Sequence, residues 1–114
     1  MKVASPIVGL VSFVAEPPTV VSDAQEKARI TSRVLGTLRT IVQAKMQGNE
    51  IPESSLPLTL EITIDFKEDG SVGSVKVAGG DRYGIEKGLQ SSLAKFSVKT
   101  GIKWVKIRVR VSSW

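Results

Sequence analysis

Trp104, Lys106, Arg108 and Arg110 stand two residues apart near the end of the sequence, separated by Val105, Ile107 and Val109. In an extended chain this spacing sets one aromatic ring and three cations in a row on one face, with the aliphatic residues on the other. A ring can stack a nucleobase and a row of cations can hold phosphates, as single-strand nucleic-acid binders do. The same row can instead pair with carboxylates on a neighbouring strand, or guard an edge strand against aggregation. These four residues are the candidate partner- or phosphate-binding site. The chain is only 5% aromatic, and it has no aromatic pair of the kind RRM sheets use, which weighs against base recognition.

Other chemistries find fewer residues to work with. There is no histidine and no cysteine, which removes the usual neutral-pH general base, the usual triads, the thiolate nucleophile and the commonest zinc ligands. No catalytic residue, metal site or cofactor is therefore expected, and the chain reads as a non-enzyme. Lys67-Glu68-Asp69-Gly70 clusters carboxylates but is four residues long, far short of a twelve-residue calcium loop, and reads as a solvated turn. Gly79-Gly80-Asp81-Arg82-Tyr83-Gly84 opens a helix yet matches neither a Walker A loop nor a dinucleotide fingerprint. It reads as a strand-to-helix turn with Asp81 as the cap. Arg29 and Arg33 can touch phosphate, but a solvated helix face explains them as well.

Charge is unevenly distributed. The formal net charge is +5, and from Arg82 onward eight cations accompany a single carboxylate, Glu86. An anionic partner, nucleic acid or an acidic protein surface, is permitted by that bias without being required by it. At 114 residues with 41% hydrophobic and 24% charged content, residues 1–114 are expected to form a single globular domain.

The elements that must position these residues follow from periodicity. Leu58, Leu60, Ile62, Ile64 and Phe66 alternate with Thr59, Glu61, Thr63 and Asp65, so Leu58 to Phe66 is a half-buried strand. Asp69-Gly70 supplies the turn that returns the chain along Ser71 to Val77 as a hairpin. Ser22 with Gln25 has the form of a capping box, and Ile30, Val34, Leu38, Ile41, Val42 and Met46 then line one side of a helix that stops at Gly48-Asn49. Ile85, Leu89, Leu93 and Phe96 predict a second helix from about Arg82 to Lys95, although Ala94 to Lys99 also alternates and Thr100-Gly101 can turn a hairpin. Val105 to Val111 completes the last strand. The segment Met1 to Ala15 has a lysine followed by an apolar run, the outline of a secretory signal. Pro6 and the bulky Phe13 argue instead for a buried central strand over Ile7 to Val14. That run is too short to span a bilayer, and no membrane anchor is expected. Trp114 is expected to cap an apolar patch or to insert into a neighbouring subunit.

The fold class is therefore α+β: a single antiparallel sheet with two helices on one face, in β-α-β-β-α-β order. A ferredoxin-like topology is one arrangement. In the other, Glu61 and Asp65 lie across from Lys106, Arg108 and Arg110, so the hairpin's first strand pairs directly with the last strand and the N-terminal strand falls to an edge or to a partner. The stretch LTLEITIDFKEDGSVGSVKV, followed by GGD, a helix and a closing strand, resembles the C-terminal domain of the TonB and TolA family of periplasmic energy-transducing proteins. The likeness covers roughly Leu58 to Val111 and lacks that family's membrane anchor and periplasmic spacer. It implies a protein-binding module that pairs an exposed strand with a partner's peptide, and a periplasmic location; without it the default compartment is the cytoplasm.

Two functional expectations result. The first is a small non-catalytic interaction or assembly module that docks a protein partner, or itself as a homo-oligomer, through an exposed strand edge. The second is a small basic nucleic-acid-binding protein using the face of the C-terminal strand.

Overall fold

The hairpin forms where alternation predicts it, with β2 over Leu58–Phe66 and β3 over Val72–Ala78. The computed structural model describes residues 7–15, 24–79, 84–99 and 101–112, and the Ser22 cap, Asp81 and Trp114 lie outside them. Leu60, Ile62 and Ile64 of β2 and Val75 and Val77 of β3 point into the core. The turn closes through a Lys67 N–H donating to the Ser71 carbonyl at 2.8 Å. Asp69 Oδ1 accepts from both the N–H and the hydroxyl of Ser71, at 2.9 and 2.6 Å. Gly70 has a φ of 88°, and a Cβ there would sit 2.1 Å from the Val98 carbonyl oxygen. Both the dihedral and the close approach demand glycine.

Helix α1 spans Ala24–Gln47. Ile30, Val34, Leu38, Val42 and Met46 recur every four residues and are all buried, the stripe an amphipathic helix lays on a sheet. It ends as expected at Gly48-Asn49. Asn49 takes the left-handed conformation (φ 62°), and the Glu50 N–H reaches back to the Lys45 carbonyl at 2.8 Å, a Schellman-type closure.

Helix α2 is shorter than the periodicity suggests. It spans Ile85–Ser92, because Gly84 at its N-cap has a φ of 74° and starts the helix three residues later than Arg82. Among the described residues no side chain caps it. Leu93 to Lys95 form a turn, and Phe96 and Val98 are buried on an extended segment that bridges Ser97 to Ser71. The alternation of Ala94 to Lys99 was the better guide there. Gly88 lets α2 approach α1, since a Cβ would meet Ile41 Cδ1 at 3.2 Å.

Strand β4 spans Trp104–Ser112, with Val105, Ile107, Val109 and Val111 fully buried. The sheet order is β1-β4-β2-β3, all antiparallel, with β1 over Ile7–Ala15. This is the charge-paired order, in which the hairpin's first strand lies against the last strand; it is not the ferredoxin-like one. The helices and the inward strand residues form one hydrophobic core.

The expectation of a buried central strand at Ile7 to Val14 needs correction. β1 is a strand, but an edge strand, and of its described large apolar side chains only Val8 is buried. Ile7, Leu10, Val11 and Val14 are 49, 39, 54 and 47% exposed. The physical reason is a bulge: Leu10 faces Val109 and Ser12 faces Arg108, leaving Val11 as an extra residue. The run looks apolar on both faces because the bulge interrupts its two-residue period.

Candidate functional site

Among the strands, the face away from the helices is where the basic row emerges. β4 puts Trp104, Lys106, Arg108 and Arg110 on this side because their neighbours fill the core. The β2 register sets Glu61 opposite Arg108, Thr63 opposite Lys106, Thr59 opposite Arg110 and Asp65 opposite Trp104. Arg108 Nη2 lies 3.0 Å from Glu61 Oε2, and Lys106 Nζ lies 3.6 Å from Glu61 Oε1. The Arg108 hydrogen bond, joined by the charge of Lys106, holds the Glu61 carboxyl below the ordinary glutamate range. Two of the three cations thus share one carboxylate.

The remaining expected pair does not form. Asp65 accepts a hydrogen bond from the Ser74 hydroxyl at 3.0 Å and faces the half-buried Trp104 at the end of β4. Arg110 faces Thr59 on one side and Gly9 on the other, and it has no ion pair with a described residue. The four candidate residues therefore share a face but not a role: Lys106 and Arg108 stitch β4 to β2, and Arg110 has no ion pair among the described residues.

The two edges of the sheet complete the site. On the β3 edge, Glu86 Oε1 from α2 accepts the Val77 N–H at 2.9 Å. Further along, the Val98 N–H donates to the Gly70 carbonyl at 2.8 Å, and Ser97 bridges Ser71. Helix α1 clamps this strap. Arg29 donates to the Ser97 carbonyl at 2.7 Å and to Glu26, and its guanidinium lies 5.1 Å from the Phe96 ring centre. Arg33 donates to the Ser92 carbonyl at 3.3 Å. The pair considered for phosphate contact is thus engaged with the strap and the end of α2, Arg33 also lying 6.0 Å from the Phe96 ring centre.

The β1 edge has no such cover among the described residues. Its backbone pairs with β4 on one side, and no other described backbone group bonds to it. Lys27 Nζ lies 5.4 Å from the Phe13 ring centre on the helix side.

No family model, curated protein or solved structure matches the chain.

Within the described residues no helix is long and apolar enough to cross a membrane. In the same residues no group of three acidic, histidine or cysteine side chains is placed to hold a metal ion. What the site offers chemically is a row of backbone donors and acceptors beside apolar side chains at one edge, and a cationic sheet face next to it. Sequence reasoning located the face, and placed the N-terminal strand at an edge in one of its two strand orders, the one the sheet adopts. The small outward residues Gly9 and Ser12 were a further signal.

Proposed function

We propose that this protein is a docking module that takes an extended segment of a protein partner as a fifth strand along the free edge of β1. The observation that carries the reading is the exposed apolar set Ile7, Leu10, Val11 and Val14 on an edge strand with no cover among the described residues. An exposed, long, apolar edge is otherwise a predicted aggregation site, and native sheets blunt such edges unless they use them. Strand addition supplies backbone hydrogen bonds for affinity and alternate side chains for specificity. The resemblance of Leu58 to Val111 to the TonB and TolA C-terminal domains supports the same mode of binding. No step of bond making or breaking is assigned to the chain.

The test is selection of extended ten-residue peptides from a display library against the full chain, followed by mapping of backbone amide signals with a selected peptide. Perturbation and slowed hydrogen exchange along Ile7–Ala15 are expected. Changes confined to β3, or no selected peptide at all, would overturn the proposal.

A second reading is supported by Arg110, which has no ion pair among the described residues, beside Lys106 and Arg108: a single-stranded nucleic acid lying across the basic sheet face. Anisotropy of a labelled oligonucleotide at low and near-physiological salt tests it. Affinity that falls steeply with salt and is weakened by Arg110→Ala supports the second reading; absence of binding at low salt removes it.

A further inference from the structure

We infer that the segment docked on β1 alternates apolar and acidic residues, an inference that rests on the strand-addition reading above. Strand β1 carries no charge along its whole length. Its outward positions beside the cationic row are small or uncharged: Gly9 lies against Arg110, Ser12 against Arg108 and Val14 against Lys106. A strand added beyond β1 would lie two strand spacings from β4, about 9.6 Å. An extended arginine and an extended glutamate reaching toward each other cover that span.

The path between them is open. A Cβ at Gly9 would meet nothing within 4 Å, so the way from Arg110 to an added strand crosses bare backbone. Arg110 has no partner among the described residues, and Arg108 and Lys106 divide one carboxylate on the opposite side, from β2. Carboxylates on the outward face of the docked segment would therefore meet cations over Gly9 and Ser12. Its inward residues would continue the apolar row of Leu10 and Phe13, near Lys27.

Charge also decides against a second copy of the chain as the occupant. Pairing β1 with another β1 would join two cationic rows in one sheet face, with no carboxylate from either β1 between them, on two chains each of net charge +5. The two rows would lie three strand spacings apart, about 14 Å, so a second copy would bring only a salt-screened repulsion and none of the attraction that carboxylates supply.

Two fluorescent ten-residue peptides test the inference on the full chain, one alternating valine and glutamate, the other valine and lysine. The glutamate peptide is expected to bind about tenfold more tightly, the ratio that a pair or two of cross-strand charge contacts supplies, with the advantage shrinking as salt rises. Arg110→Glu should abolish the preference while leaving the thermal unfolding curve in place, and Arg110→Lys should keep it. Equal binding of both peptides, with amide perturbations still confined to β1, would overturn the acidic preference and leave strand addition standing. Binding that perturbs β3 or the sheet face instead would overturn strand addition at β1 itself. Binding of neither peptide would overturn the inference, and light scattering on the same sample then distinguishes an edge paired with its own copy from an unused one.

Discussion

β3 ends one side of the sheet with seven residues whose free backbone meets Glu86 and the strap at residues 96–98. β1 ends the other side with nine uncharged residues that meet no backbone beyond β4 among the described residues. Both strands are rich in apolar side chains, although β1 is bulged and uncharged while β3 alternates and carries Lys76. The difference lies in what the rest of the chain does for each edge. A carboxylate, a glycine turn and two arginines of α1 are engaged in closing the β3 side; the β1 edge meets no described backbone beyond that of β4, and Lys27 sits near Phe13 on the helix side. An open edge beside a closed one is the arrangement expected when one edge is kept for a partner.

The comparison breaks most visibly at Gly70. Gly70→Val forces a branched residue into a positive φ and drives its Cβ against the Val98 carbonyl, and we expect a loss of about 3 kcal/mol. Urea unfolding measures the loss, and faster exchange of the Val98 amide would show that the strap has lifted. A variant as stable as the parent would mean that the strap does not seal the β3 edge. Next in size is Glu86→Ala, which leaves the Val77 N–H without its acceptor and is expected to cost about 1–2 kcal/mol. Accelerated exchange at Val77, with β1 amides unchanged, is the matching observation.

On the open side the expected order reverses, with little effect on stability and a large one on docking. Val11→Asp puts a charge on the exposed bulge, where it should alter stability by about 0.5 kcal/mol or less. It should also abolish capture of the peptides that the parent selects, because an edge charge resists strand addition. Retained capture would place the docking surface elsewhere.

The smallest expected effect lies on the seam between β2 and β4, away from both edges. Arg108 and Lys106 hold the folded pKa of Glu61 below its unfolded value. The stability this contributes is present above the ordinary glutamate range and is lost as pH falls through the lowered folded value. Glu61→Gln should therefore flatten the acid side of the stability profile slightly and leave exchange at both edges unaltered. An acid limb identical to the parent's would mean that the Glu61 contacts contribute nothing measurable in solution.

How much of this was legible in the sequence depends on whether a local period survives intact. β2 and β4 could be read residue by residue because each alternates without interruption, and α1 because its buried residues recur every fourth position. The pairing of β2 with β4 was also accessible, since Glu61 and Arg108 carry opposite charges and do meet. Asp65 misled, because the register that satisfies Glu61 delivers Trp104, not a cation, to Asp65. The true start of α2 was hidden by Gly84, whose left-handed conformation interrupts a spacing that otherwise reads as helix from Arg82. For β1 the single inserted Val11 erased the alternation that would have marked one face as wet. The charge-paired order already sent the N-terminal strand to an edge, but the apolar run argued for a central strand, and the inserted Val11 is what made that run look buried on both faces.

The register of β1 against β4 sets Ile7 beside Ser112, nearly the full span of the described chain apart in sequence. The first strand can therefore find its place only after almost everything between has been brought together, and its pairing contributes the most distant contacts in the molecule. Since distant contacts slow folding, the sheet β4-β2-β3 with its helices is expected to assemble first and to receive β1 last. A rearranged chain, cut within the loop at residues 48–57 and joined across the Ile7–Ser112 corner, would turn that last step into the closure of a short loop while keeping the β2–β3 hairpin local. It should reach the same sheet sooner.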